Sequence, residues 1–323
     1  MVGSRDTKLR YPSGFEPSDA SLSEILLDNF VNFYDWGFLD AGLFYNIHMP
    51  QSGIYGGDRH RLRVVSDPNY NSGQVFEGYR QNWVWEGSGN IDGSSNQPID
   101  VSGVYVNDTF YATGNTTNPF YIDYPNGKVI FDSAQPNNAD VELEYSHKRV
   151  QVIAAQGVPW FRQIQQNSFR NDSGFQVQAS GGWAQLGQTR VQLPAVAVEI
   201  VPGTKTIPYQ LGGGQWVHTD VVFYVISEQH WECTNIVDTI VNQNDRAINL
   251  FNPTQVALSG AAPFNYRNEL VGHANPSGIY PNLAQNYKYR KAFIFDSRAN
   301  PTTELAPELY IGTARCTTEV KPI

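Results

Sequence analysis

The segment from residue 191 to residue 252 restricts the possible folds of this chain more than any other part of the sequence. Two apolar runs, 191–201 and 219–226, are rich in valine and isoleucine and have the length of buried strands. A polar turn and the triple glycine Gly212–Gly214 separate them. A run with helical period follows at 228–242, with apolar positions at Cys233, Ile236, Val237, Ile240 and Val241. The segment therefore predicts a compact α+β unit, in which Ser227 caps the helix and a short strand at 247–251 follows it.

Another helix is predicted near the N-terminus. Ser21 and Glu24 have the spacing of a capping box, in which a hydroxyl and a carboxylate satisfy backbone amides of the first helical turn. Apolar residues then recur at helical spacing, which predicts a helix from about residue 22 to residue 36 that Gly37 ends. A strand at 43–48 follows. The proline at 159 is favoured in a first helical turn, so a third helix is predicted at 159–171.

The middle of the chain has the pattern of a separate β-rich domain. Residues 87–98 are rich in glycine and serine, which is typical of a flexible linker. Short alternating strands with frequent turns occupy the region 91–150, as in a small sandwich or barrel. Asn126 and Gly127 predict a hairpin turn, because this dipeptide readily adopts positive φ. Further strands are predicted at 59–65, 75–86, 289–296 and 308–320.

These patterns predict an α+β fold with a mixed, mostly antiparallel sheet, two or three flanking helices and an inserted β-rich, sandwich-like domain. Residues 1–90 and 151–323 are expected to form the α+β domain, and residues 91–150 the insertion. Only 16% of the residues are charged, whereas 13% are aromatic. About 25% charged residues is usual for a globular protein. A polar, uncharged and aromatic-rich chain suits a β-dominated protein in a crowded assembly, because aromatic side chains supply large contact areas.

The charge balance argues against a broad nucleic-acid-binding face. The formal net charge is −9 and the isoelectric point is near 5.1, whereas such a face needs clustered lysine and arginine. The basic groups at 59–63 and 288–291 alternate with other residues and are interpreted as exposed strand faces. No apolar run reaches about 18 residues, so no membrane span is expected.

The sequence contains no recognisable catalytic or metal-binding constellation, and we expect neither enzyme activity nor a cofactor. None of the six histidines has a metal-ligand spacing. His218 and Asp220 should share one face of a strand, and such a pair of polar side chains usually does no more than face solvent. The glycines at 212–214 lack the following lysine and helix of a phosphate loop. A glycosidase would need two facing carboxylates, and the candidates are Asp35, Asp40, Asp123, Asp132, Glu142 and Glu144.

Two cysteines, Cys233 and Cys316, leave the question of a disulfide open. Cys233 lies on the apolar face of the predicted helix and is interpreted as a small core residue. Neither cysteine belongs to a metal-binding pattern.

A second class of function is a β-rich adhesin or glycan-binding module. Its signature would be a platform of solvent-exposed aromatic side chains on the strands. The candidates for that platform are Trp83, Trp85, Tyr105 and Tyr111.

Three segments resemble tail terminator and related neck or tail-completion proteins of tailed phages: VQLPAVAVEI, YQLGGGQWVHTDVVFYVISEQHWECTNIVDTI and RAINLFN. In that group a strand with Leu-Pro-Ala precedes a Tyr-x-Leu-Gly-Gly turn, a long strand, a helix and a short strand. The corresponding positions here are 193–195, 209–213, 221–226, 236–240 and 248–251. The segments VYVN, FYIDYPNGKVIFDSA and VELEYS are similar to β modules in structural proteins of contractile-tailed phages, including cyanophages.

The resemblance implies a virion protein that is assembled in the host cytoplasm and located in the tail or neck. About six copies would form a closed ring that joins the tail tube to the connector. The partners would be further copies of the chain and the tube, sheath and stopper or connector proteins, with no membrane involved. Genomic DNA would pass through an acidic lumen. Repulsion between the negative charges of the lumen and of the DNA would prevent tight binding. The residues expected at the interface between copies are Tyr209, Leu211, Gly212, Gly213, Gly214 and Trp216. Under the alternative of an adhesin or glycan-binding module, the resemblance implies a tail fibre or baseplate component.

Overall fold

The computed structural model describes residues 22–47, 60–78, 80–84, 98–99, 101–124, 126–136, 138–155, 193–201, 205–208, 215–250, 289–306 and 309–322. Their elements in chain order are α1 (Leu22–Asp40), β1 (Phe44–Ile47), β2 (His60–Arg61), β3 (Arg63–Val64), β4 (Val75–Glu77), β5 (Gly103–Val106), β6 (Thr109–Ala112), β7 (Phe120–Asp123), β8 (Lys128–Phe131), β9 (Val141–Leu143), β10 (Tyr145–Lys148), β11 (Gln151–Ala154), β12 (Ala195–Ile200), β13 (Lys205–Pro208), β14 (Gln215–Ser227), α2 (His230–Val241), β15 (Ala247–Asn249), β16 (Tyr289–Ala306) and β17 (Leu309–Pro322).

The chain is mostly β, with two helices among the described residues, and the predicted α+β class is confirmed. It divides into two compact units. The α+β unit comprises the described parts of 22–36, 152–155 and 196–322. The β-rich unit comprises the described parts of 37–151 together with 193–195.

A seven-stranded sheet forms the centre of the α+β unit. Its strand order is β11-β12-β14-β17-β16-β15, and β13 pairs with β14. The long strands β14, β17 and β16 run antiparallel to their neighbours. The strand predicted at 289–296 is longer in the structure, where β16 continues to Ala306 and has 18 residues. It pairs with the 14 residues of β17, and the ladder between them contains four register shifts. Such irregularities let a strand bend while most of its ladder is kept.

Helix α2 packs on this sheet through the predicted apolar stripe. Cys233, Ile236, Val237 and Ile240 are all buried. The helix lies close to β17 at Gly312, where an added Cβ atom would come within 2.6 Å of a Val237 methyl carbon. Glycine at this position therefore sets the distance between helix and sheet.

Helix α1 also contacts the long strand β14. Phe30 and Tyr34 are buried, and the Tyr34 ring meets Phe223 edge-on with centroids 4.9 Å apart. The Tyr34 hydroxyl donates a hydrogen bond to the Ile240 carbonyl at 3.4 Å, which links α1 to the end of α2. Burial is the main reason why the pKa of Tyr34 lies well above its usual range.

The predicted end of α1 at Gly37 is wrong, because the helix continues to Asp40. The residue that terminates the helix in the left-handed conformation is Gly42, which follows two positions after Asp40 and has a φ of 82°. The Leu43 amide donates to the Phe38 carbonyl and the Gly42 amide to the Leu39 carbonyl, both at 2.9 Å. These two bonds form a Schellman motif, which favours glycine at the left-handed position. An exposed helical glycine such as Gly37 only lowers helix propensity.

The β-rich unit contains two four-stranded antiparallel sheets, with orders β2-β9-β5-β6 and β3-β4-β8-β7. Side chains from both sheets form one core, as in a sandwich. Its members are Leu62, Phe76, Trp83, Val101, Val104, Val106, Val129, Phe131, Val141, Leu143 and Tyr145. The strand predicted at 59–65 is split at Leu62, so that β2 and β3 belong to different sheets.

The structure divides the chain differently from the expected boundary near residue 91. The β-rich unit begins at Gly37, because β2 pairs with β9 and β4 pairs with β8. Leu62, Phe76 and Trp83 also contribute to its core. The hairpin turn before Gly127 is confirmed: β7 pairs with β8, and Gly127 has a φ of 61°. The helix predicted at 159–171 and most of the linker at 87–98 lie outside the described residues.

Candidate assembly surface

Of the residues expected at the interface between copies, Trp216 lies in the part of the chain that the structure describes. It is half-buried near the start of β14, where it pairs with Ile207 of β13. The other expected interface residues lie outside the described residues; they are Tyr209, Leu211, Gly212, Gly213 and Gly214. Their expected role therefore stays a prediction.

Strand β14 presents two chemically different faces. Val217, Thr219, Val221, Phe223 and Val225 are buried on the face that carries the core. The alternating residues from 216 to 224 are half-buried on the opposite face. This alternation has the period of two that a strand imposes on its side chains. It leaves a broad, partly exposed sheet face in the α+β unit.

Polar cross-strand pairs line this second face. His218 Nε2 lies 3.0 Å from Glu319 Oε2, and the two residues are direct partners in the β14–β17 ladder. Asp220 accepts hydrogen bonds from Arg315 and from the Thr317 hydroxyl, the latter at 2.7 Å. Burial raises the pKa of Asp220, but the hydrogen bonds from Thr317 and Arg315 outweigh it and hold the pKa below its usual range.

His218 and Asp220 thus share one face, as their spacing predicts, and each has a partner on β17. The face also carries Tyr224, whose hydroxyl donates to Glu199 Oε2 at 3.1 Å. Such pairs stabilise neighbouring strands and fix their register.

Helix α2 presents an exposed tryptophan that the sequence analysis did not single out. Trp231 is 55% exposed, the largest value among the large hydrophobic side chains of the described residues. Trp231 does not belong to the buried stripe, which starts at Cys233. A tryptophan outside the apolar positions of an amphipathic helix is the sequence signal that indicates an exposed aromatic residue here. Exposed aromatic residues are typical anchors of protein–protein interfaces.

The predicted N-cap at Ser227 is wrong, because Gln229 is the N-cap residue, but Ser227 still contacts the first turn of α2. The Ser227 hydroxyl accepts from the Gln229 amide at 3.2 Å and donates to Glu232 Oε2 at 2.8 Å. The His230 ring meets Tyr310 of β17 edge-on, with centroids 5.5 Å apart. The first turn of α2, which includes Trp231, therefore packs against the start of β17.

Both cysteines are free thiols in the core. Burial raises the pKa of Cys233 and raises the pKa of Cys316 to about 12. The possibility of a disulfide, which the sequence leaves open, is not realised in the structure. Protonated, buried thiols of this kind are chemically inert.

The three described residues of the predicted aromatic platform, Trp83, Tyr105 and Tyr111, do not form a shared exposed surface. Trp83 is 1% exposed, and its indole nitrogen donates to the Arg80 carbonyl at 2.7 Å. Tyr105 and Tyr111 are half-buried and point to opposite faces, since Tyr111 opposes Val104 whereas Tyr105 opposes Phe110. Trp85 lies outside the described residues. Burial of Trp83 against Tyr145 in the core is the reason for the difference.

Within the described ranges, no three histidine, cysteine, aspartate or glutamate side chains gather in a way that could hold a metal ion. In the same ranges, no helix has both the length and the apolar character needed to cross a bilayer.

Comparisons with protein-family models, with curated proteins and with solved structures find no match to this chain.

Proposed function

We propose that this chain is a structural protein of a tailed-phage virion that forms a ring at the neck or tail end and joins the tail tube to the connector. Its work is assembly: it binds further copies of itself and neighbouring tail and neck proteins. The single observation that carries the proposal is the order of strand β12, long strand β14, helix α2 and short strand β15 in residues 195–249, which follows the order of the resemblance to tail terminators. The four-residue strand β13 lies between β12 and β14 and is additional to that order.

The packing within this segment supports the proposal further. The strands β12, β14 and β15 belong to one sheet, and α2 packs on that sheet through its buried stripe. The N-terminal helix α1 contacts the same strand and the end of α2, as the α+β layout of the resemblance requires.

The surface of the α+β unit offers two areas suited to contacts between copies. One is the outer side of α2, with Trp231 at its start. The other is the polar face of β14 and β17, where paired charges would give an interface orientation and specificity. A closed ring needs two different faces on each copy, since its contacts run head to tail.

The test is the oligomeric state of the purified full-length chain, measured by mass photometry and negative-stain electron microscopy. We expect closed rings of about six copies. Trp231→Ala should shift the chain to smaller species, with association weakened by about thirtyfold or more if Trp231 is an interface anchor. Phe110→Ala is the matched control, because this aromatic residue of the β-rich unit is also exposed, at 45%.

The location in the virion is tested by gold labelling of phage particles with an antibody to the chain. Label at the junction of head and tail supports the neck assignment. Label at the distal end of the tail would instead favour a baseplate component, and particles without label would contradict a virion protein. A chain that stays monomeric at micromolar concentration in mass photometry would contradict the self-assembling ring.

A further inference from the structure

A polar cavity of about 260 Å³ opens on the β-rich unit, on the outer side of the sheet that contains β7 and β8. None of the described aromatic positions selected from the sequence, Trp83, Tyr105 and Tyr111, is among its lining residues. Tyr70, Tyr121, Asp67, Asp123 and Lys128 are among its lining residues. The cavity is therefore a separate feature from the assembly surface of the α+β unit.

The alternation of β7 and β8 produces the floor of the cavity. Tyr121 and Asp123 lie on one face of β7, opposite Ile130 and Lys128 of β8 respectively. These four residues line the cavity. The intervening residues of the two strands face the other way: Val129 and Phe131 belong to the core, and Phe120 and Ile122 pack against it.

The loop between β3 and β4 forms a wall. Asp67 Oδ1 accepts a hydrogen bond from the Asn69 amide at 3.0 Å, and the Asp67 carbonyl accepts one from the Tyr70 amide at 3.1 Å. This Asx turn fixes the loop and brings Tyr70 to the cavity. A similar turn follows β7. Asp123 accepts hydrogen bonds from the Asn126 backbone amide at 3.3 Å and from the Asn126 side-chain nitrogen at 2.8 Å.

One ion pair joins wall and floor. Lys128 Nζ lies 3.2 Å from Asp67 Oδ2, and the two side chains are only 11% and 8% exposed. The hydrogen bond from the Asn69 amide is the main reason why the pKa of Asp67 lies below its usual range, so the group remains a charged acceptor. The cavity is thus lined by fixed donors and acceptors on rigid backbone.

The two tyrosines supply aromatic surface next to these polar groups. Tyr121 is 50% exposed and Tyr70 is 37% exposed. A hydrogen bond to Tyr70 is the main cause that raises the pKa of Tyr121 to about 12. The Tyr121 phenol therefore stays neutral at physiological pH and can donate as well as accept hydrogen bonds.

We propose that this cavity binds one ring of a neutral carbohydrate, with Tyr70 and Tyr121 contacting its C–H surface and Asp123, Asn126 and Lys128 contacting its hydroxyl groups. Pockets for drug-sized ligands start at about 300 Å³, so a cavity of this volume suits a single sugar ring. A hydroxyl group both donates and accepts, which matches carboxylate, amide and ammonium groups in one small space.

The charges of the lining argue against an anionic ligand. An anion would meet two carboxylates, Asp67 and Asp123, whereas the ammonium group of Lys128 is already paired with Asp67. An anion that bound Lys128 would have to break this pair. A neutral polar ring meets no such repulsion and leaves the pair in place.

The experiment is saturation-transfer difference NMR and calorimetric titration of the full-length chain. The probes are glucose, galactose, mannose and N-acetylglucosamine, linear trimers of these sugars, and glucuronate as the charged counterpart. We expect at least one neutral sugar to bind with an affinity of about millimolar or tighter, and glucuronate to bind more weakly. Tyr121→Ala should weaken binding by about tenfold, whereas Tyr121→Phe should retain it within about threefold.

Phe110→Ala is the control, because Phe110 is an exposed aromatic residue of the same unit outside the cavity lining. It should bind the sugar as the unaltered chain does. The proposal is overturned if no neutral sugar binds, if glucuronate binds more tightly, or if Tyr121→Ala and Phe110→Ala behave alike. Because the readout is sugar binding and not oligomeric state, its result does not depend on whether the chain forms a ring.

Discussion

The substitution Gly312→Ala tests how closely helix α2 lies on the central sheet. The added Cβ would lie 2.6 Å from Val237 Cγ2 and 3.1 Å from Cys233 Sγ. Non-bonded carbons pack at about 3.5–4.0 Å, so the helix would have to move by about 1 Å. Overpacking of this kind costs about 1–3 kcal/mol, and the loss of glycine freedom in the unfolded chain returns about 0.5–1 kcal/mol. We expect a net loss of about 1–2 kcal/mol.

A second substitution identifies the cause. Val237→Ala alone should cost about 1.5–2 kcal/mol, because it removes two buried carbons at about 0.8 kcal/mol each. In the double variant the new methyl group at 312 takes the space that the valine vacates. The double variant should therefore lose about 1–2 kcal/mol less than the sum of the single variants.

The assay combines calorimetric melting of the full chain with hydrogen exchange of the peptide that contains α2. Exchange in that peptide reports local opening of the helix–sheet contact. Gly37→Ala is the matched control, since Gly37 lies in α1 and an added Cβ would meet nothing within 4 Å. It should stabilise the chain by about 0.5–1 kcal/mol. A neutral Gly312→Ala, or losses that add fully in the double variant, would refute close packing at Gly312.

Three further predictions concern buried or paired groups. Trp83→Ala should destabilise the chain by about 3–5 kcal/mol in a urea titration, because it empties a core position; a change in sugar affinity without loss of stability would contradict its burial. Asp220→Asn should lower the melting temperature at neutral pH; since the folded-state pKa of Asp220 is depressed, this difference should persist above the unfolded value of about 4 and vanish as the pH falls through the folded-state pKa. A pH-independent difference would exclude the ionised pair as its source. Cys233 and Cys316 should resist a thiol reagent in the native chain and both react in denaturant; rapid labelling of the native chain would show that the thiols are accessible.

The helical stripe of α2 could be predicted because it is a local pattern with one dominant period, and four of its five predicted apolar positions are buried, whereas Val241 is half-buried. The run 219–226 is predicted as a buried strand, but only one face of β14 is buried: Asp220, Val222 and Tyr224 are half-buried on the other. Helix ends depend on finer geometry: Gly37 and Gly42 are both plausible ends, and the left-handed turn at Gly42 decides between them. Propensity alone could not do so, because a glycine inside a helix costs only about 1 kcal/mol.

The role of Trp83 could not be predicted for a different reason. Its burial depends on Gly78 and Gly127, where an added Cβ would come within 2.7 Å and 2.9 Å of the indole ring. These two glycines lie on either side of Trp83 in the sequence, and their approach to it depends on the tertiary fold. A tryptophan in an alternating run is therefore compatible with both an exposed platform and a core until the sheet pairing is known.

The cavity depends both on local turns and on tertiary contacts. In the β-rich unit, its binding surface can be changed without changing the packing of the core. The Asx turns at Asp67 and Asp123 are local, and the hairpin turn fixes the register that places Asp123 opposite Lys128, but the approach of the Asp67 loop to Lys128 depends on the tertiary fold. Because the same strands turn their alternate residues into the core, a substitution at exposed Tyr121 removes binding surface without creating a core void. Tyr121→Ala should therefore melt within a few degrees of the unaltered chain, so a loss of sugar binding in that variant can be assigned to the cavity itself and not to unfolding of the sandwich.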